Sequence, residues 1–158
     1  MSSDRTLLRH TLATLAYRGG KTVRGASAGF ADFGAPDTDR TPGKILAHIG
    51  DLMDWALSMA DGSRKWHNST PLEWEKEGER FHAAIKKVDD YLASEQPLHA
   101  PPDKLFQGPI ADALTHVGQL AMLRRIAGCP IQGENYFAAE ITIGRVGADQ
   151  AAPRKPIR

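Results

Sequence analysis

Three side chains of this sequence have the chemistry to hold a metal ion together. Two of them, Asp112 and His116, lie four residues apart in G-P-I-A-D-A-L-T-H-V-G-Q-L-A-M-L-R-R-I-A-G, from Gly108 to Gly128. On a helix that spacing stacks one side chain a turn above the other. The stretch carries an apolar face, since Ile110, Ala113, Leu114, Val117, Leu120 and Ala121 recur at helical spacing. Pro109 suits a first helical position, and Gly128 suits the left-handed residue just past a helix end. Two such ligands need a third from another helix, and His48, in T-P-G-K-I-L-A-H-I-G-D-L-M-D-W-A-L, is the candidate. It falls inside the stripe formed by Ile45, Ile49, Leu52 and Ala56. Helix bundles commonly build metal sites from inward side chains on facing helices, often with an i, i+3 or i, i+4 pair. Three protein ligands leave a position at which a water or a thiol can bind and be deprotonated.

Each residue also has a plainer reading. His48 fits a core histidine satisfied by a carbonyl or a tyrosine hydroxyl. Asp112, four residues past Gly108, fits a first-turn carboxylate, which favours a helix N-terminus by about 0.3–1 kcal/mol. His116 can simply flank the core. Gln119 and Asp51 have the spacing to support an imidazole from behind, although a surface position suits both. His10, His67, His82 and His99 have no partner at useful spacing and read as surface residues. Trp55, Trp66, Trp74 and Tyr17 read as core or pocket wall. Cys129 is the single cysteine, which excludes an internal disulfide and accords with a reducing cytoplasm. Nothing near it in sequence points to a lowered thiol pKa.

The elements that must position the three ligands can be read in outline. A first helix is expected from Asp4 to about Arg18, with Leu7, Leu8, Leu12, Leu15 and Ala16 on its face. Gly19–Gly20 should weaken or interrupt it, at about 1 kcal/mol per glycine relative to alanine. Ser27 to Arg40 reads as a loop anchored by Phe30 and Phe33. A second helix opens at Thr41-Pro42, a cap followed by a first-turn proline, and runs to about Ala60. The polar link Asp61–Ser69 is long for two adjacent antiparallel helices and suggests a crossover. Thr70-Pro71-Leu72-Glu73 has the form of a capping box, and the third helix should run from there to about Ser94 along Phe81, Ile85, Val88 and Leu92. Glu75, Glu77, Glu79, Lys86, Lys87 and Asp89 read as its solvated face. The prolines at 97, 101 and 102 separate it from a fourth helix beginning near Pro109. Beyond Cys129, the alternation Phe137, Ala139, Ile141, Ile143 suggests an extended arm or short strand, and Gly147–Arg158 should fray. The fold class is therefore all-α: a four-helix bundle over residues 4–128, with a long crossover between helices 2 and 3 and a C-terminal arm over 129–158.

With 158 residues, 41% of them apolar and 25% charged, the chain is expected to form one globular domain with its own core. A formal charge of +1 gives no reason to expect nucleic acid or an anionic membrane as partner. The basic pair Arg124–Arg125 and the tail Arg154, Lys155, Arg158 lack interleaved aromatics. No apolar run approaches the roughly 20 residues of a membrane span, and no signal peptide is visible, so a cytoplasmic location is expected.

The segments Ile45–Trp55 (I-L-A-H-I-G-D-L-M-D-W) and His116–Gly128 (H-V-G-Q-L-A-M-L-R-R-I-A-G) resemble the DinB/YfiT-like family of four-helix-bundle proteins. The resemblance implies a divalent ion, zinc or nickel, bound by a histidine of the second helix and an i, i+4 pair of the fourth. Matched residue by residue, these ligands are His48, Asp112 and His116. The family's usual pair is two histidines, and Asp112 departs from it. A carboxylate makes the ligand set −1 instead of neutral, which favours harder ions such as iron or manganese and makes a bound water less acidic. The activity implied is transfer of a small thiol to an electrophile, with hydrolysis as the near variant and a small molecule as partner. The alternative is a non-catalytic, stress-related bundle that binds a small molecule or a second copy of itself as a homodimer.

Overall fold

The computed structural model describes residues 1–34 and 38–157; the tail residue Arg158 and part of the expected Ser27–Arg40 loop lie outside them. Among the described residues the regular structure is helical apart from one two-residue strand pair. Its helices are α1 (Ser3–Val23), α2 (Pro42–Asp61), α3 (Trp74–Ala93), the short α4 (Pro102–Leu105) and α5 (Ala111–Ile126), with a π-turn (Phe106–Ile110) joining the last two into one helical run. Around one core, α1 packs on α3 and α5, and α2 packs on the same two helices. The centre is filled by Leu12, Leu15, Ile49, Met53, Ile85 and Leu120. No helix of the described residues is long and apolar enough to cross a membrane.

Local signals account for most helix ends. Thr41 caps α2 by accepting a hydrogen bond from the Lys44 N–H at 3.3 Å, and Pro42 follows it. Past α5, Gly128 takes φ 81°, the left-handed conformation expected there. Other expectations are corrected. The fourth helical run starts at Pro102, not Pro109, because the π-turn widens the backbone around Pro109, which has no N–H to give and whose ring would crowd a regular turn. The capping-box reading of Thr70–Glu73 fails: α3 begins at Trp74, and Glu73 makes no side-chain cap. Instead Leu72 N–H donates to Glu77 Oε2, Trp74 Nε1 donates to the Val23 carbonyl, and the Trp74 ring meets Phe30 edge to face. These longer-range anchors decide where the helix starts.

Nor do Gly19–Gly20 interrupt α1, which continues to Val23. A Cβ on Gly19 would stand 2.5 Å from Phe81 Cζ, so the glycine makes room for the Phe81 ring between α1 and α3. Phe81 is buried and cannot retreat. Gly19→Ala is therefore expected to destabilise the protein by about 1–3 kcal/mol through overpacking, more than the helix-propensity gain of about 1 kcal/mol returns. A urea midpoint equal to or above that of the wild type would contradict it.

The charged face of α3 is only partly solvated. Glu77 and Asp89 are buried, at 1% and 3% exposure. They continue the i, i+4 series Glu77, Phe81, Ile85, Asp89, so helical spacing itself puts them on the seam. Asp89 is held by Arg9 through Nε at 2.8 Å and Nη2 at 2.9 Å. Arg124 is also buried, on the stripe of Val117 and Leu120. It donates to the carbonyls of Thr22, Arg24 and Gly25 at 2.8, 2.8 and 3.1 Å, closing the C-terminal end of α1.

The segment between α2 and α3 runs back along α2: Arg64 N–H donates to the Ser58 carbonyl and Ser69 N–H to Asp51. After Cys129 the strand alternation does not appear. Phe137 is fully exposed, residues 136–139 form turns and bends, and the paired strands are Gly133–Glu134 and Pro156–Ile157. The buried anchors of this region are Glu134 and Val146.

Candidate metal centre

His48 stands on α2 and Asp112 and His116 on α5, where the two helices pack. One potential ligand atom from each lies within 4.8 Å of the others. Individual separations are 3.8 Å between His48 Nε2 and Asp112 Oδ2 and 3.3 Å between His116 Nδ1 and Asp112 Oδ1, with the two imidazole centroids 4.6 Å apart. Ligand atoms about 2.0–2.2 Å from a zinc ion stand roughly 3.3–3.6 Å apart in a tetrahedron, a spacing that the His48 Nε2–Asp112 Oδ2 pair approaches.

The imidazole of His116 is oriented from its own helix. Its Nδ1 lies 2.8 Å from the carbonyl of Asp112, and since a carbonyl only accepts, Nδ1 carries the proton and Nε2 carries the free lone pair. The ring is buried, at 6% exposure. His48 is half-buried, and desolvation, followed by the nearby His116, holds its pKa below the ordinary value against the pull of Asp112. The lowered value suits a neutral, ligating imidazole at His48. The Asp112 side chain is about half exposed, at 47%. Because the helical run begins at Pro102, the Ala111 N–H already bonds to the Gly108 and Phe106 carbonyls, and Asp112 does not stand at the open start of a helix.

Sequence reasoning missed several neighbours. Arg40, in the loop before α2, places Nη1 3.2 Å from His116 Nε2. Trp66, read as core or pocket wall, is a half-exposed wall: it meets His48 edge to face at 5.8 Å and Trp55 at 5.9 Å. Asp51 is buried, not on the surface, and His67 is not without a partner: its Nε2 lies 3.0 Å from Asp51 and 3.1 Å from Asp54. These three form a second group of ligand types, but Arg80 Nη2 already bonds Asp51 at 2.6 Å and Asp54 at 3.0 Å, so an internal cation fills the place of a metal. His82 Nδ1 stands 3.2 Å from the Val146 carbonyl, and burial lowers its pKa. Gln119 is exposed. Cys129 departs from expectation, since hydrogen bonds from Ser27 and the nearby Arg124 hold its thiol pKa below the ordinary value despite the opposing effect of burial. Only the fold brings those partners to it.

The fold and site define an all-helical protein with a group of two histidines and an aspartate able to hold a cation. Comparison with known protein families, with curated proteins and with solved structures gave no match to this chain.

Proposed function

We propose that this is a DinB-like metal-binding protein in which His48, Asp112 and His116 hold one divalent ion, and that it transfers a small thiol to an electrophile or hydrolyses a small substrate. The observation that carries the reading is the convergence of those three side chains from α2 and α5. The helix arrangement supports it: α2 and α3 are linked by a segment that runs back along α2, as the crossover of a DinB-type four-helix bundle would. The donor set fits the ion, with two imidazoles and one carboxylate, with His48 held toward its neutral form and with Nδ1 of His116 already fixed by a carbonyl. When bound, the ion would lower the pKa of a thiol or water placed at its open position. The chain's own part is to hold and orient: His116 is locked by Asp112, and His48 is walled by Trp66.

Metal analysis of the protein purified without an affinity tag tests this. One ion per chain is expected in the wild type and little in His48→Ala or His116→Ala. Metal at about 100 times its dissociation constant should stabilise the wild type by roughly 2.7 kcal/mol, and neither variant should show this gain. Metal bound equally by all three proteins would place it elsewhere. Loaded protein should then consume a thiol only in the presence of an electrophile; no turnover with bound metal would leave a binding protein.

A further inference from the structure

The lone pair that a metal ion would need on His116 is in use. His116 gives its Nδ1–H to the Asp112 carbonyl, and the remaining Nε2 faces Arg40 Nη1 at 3.2 Å. A guanidinium is permanently charged and only donates, so it and a cation compete for that nitrogen. Arg40 is exposed and sits just ahead of α2. Beside it opens a cavity of 330 Å³ lined by Arg40, Lys44, His48, Asp51, Asn68 and Ser69.

The charges around this cavity are unevenly committed. Asp51 already accepts from Ser69 Oγ and from Arg80, both at 2.6 Å, and from the Ser69 N–H at 2.8 Å. Asp39 also lines the cavity, but its side chain is 92% exposed and stands 3.8 Å from Lys44, a screened contact. A divalent ion on two neutral imidazoles and one carboxylate leaves a charge of +1, to which a displaced Arg40 adds another. We propose that Arg40 occupies His116 Nε2 until a divalent ion displaces it, and that it then receives the anionic group of a small-molecule ligand in the adjoining cavity. The substrate class is therefore a small molecule with a carboxylate-type anion, held by the planar fork of the guanidinium. This rests on the metal reading of the site.

Zinc affinity, measured by competition with a chelating dye in an anion-poor buffer, tests the first half. Arg40→Gln is expected to bind zinc about tenfold more tightly than the wild type, since the ion no longer displaces a charge-assisted hydrogen bond. Equal or weaker binding overturns the competition. Calorimetric titration of the zinc-loaded proteins with acetate, and with acetamide as its uncharged counterpart, tests the second half. Acetate should bind the wild type and bind Arg40→Gln about tenfold less well, while acetamide binds neither. Acetate binding that is absent from the wild type, or unchanged in the variant, overturns the anion role. Zinc held equally by both proteins removes the role of Arg40 and leaves the metal reading standing; zinc held by neither removes both.

Discussion

Replacing Arg80 with alanine is expected to lower stability by about 3–5 kcal/mol, the usual result of stripping one partner from a buried ion pair. The guanidinium holds three carboxylates at once, bonding Asp51 at 2.6 Å and Asp54 at 3.0 Å through Nη2, and Glu77 at 3.0 Å through Nη1. Asp51 and Glu77 are nearly inaccessible to water, so losing the arginine would leave two negative charges in a low dielectric. Gly50 allows the approach, since a Cβ there would stand 2.7 Å from Arg80 Nη1. For a chain of this length the melting temperature should fall on the order of 10 °C. Arg80→Lys should restore only part of the loss, because a single ammonium cannot fork across the two helices. The same cluster ties the returning segment to α2 through Ser69 and His67, beside the cavity that His48 lines. In Arg80→Ala the group Asp51, Asp54 and His67 loses its internal cation, so zinc bound beyond one ion per chain is expected even under conditions where the variant stays folded. Urea unfolding and zinc competition on the same preparations check both statements; an Arg80→Ala unfolding free energy within about 0.5 kcal/mol of wild type, the range of ordinary surface substitutions, would refute the first.

What the sequence made legible here was periodic. His48 lies on the apolar stripe of α2, and Asp112 and His116 share a face of α5 because helical spacing puts them there. The i, i+4 relation of Glu77 and Asp89 to Phe81 and Ile85 also marks them as seam positions, although their charge points to water. Arg124 is a similar case, since position 124 continues the stripe of Val117 and Leu120. A charged residue type argues for water, and it is overridden where another element supplies every hydrogen-bond partner. Arg40 was not legible at all. It is 76 residues from His116, in a stretch without period, and only the packing of α2 on α5 brings the two together. The start of α3 was lost for the same reason, because Trp74 is fixed by Val23 and Phe30 and not by its neighbours in sequence.

The second large effect is expected at Glu134. This carboxylate is buried against α1, where it accepts from Lys21 Nζ at 2.8 Å and from Tyr17 Oη at 2.8 Å. Burial by itself would raise its pKa, but donation from Lys21 and Tyr17 prevails and holds it below the ordinary value of 4.5. Burial and the same carboxylate push the Tyr17 hydroxyl up to about 12. Lys21 also bonds the Gln132 carbonyl at 2.7 Å and lies 4.9 Å from the centre of the Tyr136 ring, so the ammonium is enclosed by the segment that Glu134 anchors. Glu134→Gln keeps the shape and removes the charge, leaving a buried ammonium without its counter-ion. We expect a loss of about 3–5 kcal/mol at neutral pH. A folded-state pKa below the unfolded value means that the unfolded chain binds the extra proton. The stabilisation is then complete above about pH 4.5 and is lost as the pH falls through the folded-state value. The wild-type urea midpoint should therefore drop in that acid range, and the Glu134→Gln curve should be flatter there. Lys21→Met combined with Glu134→Leu should recover much of the single-variant loss, because it removes both charges together. Since this anchor fastens the C-terminal segment to α1, while the metal ligands stand on α2 and α5, zinc should stabilise Glu134→Gln by as much as it stabilises the wild type. A smaller increment would mean that the two regions are coupled through the core.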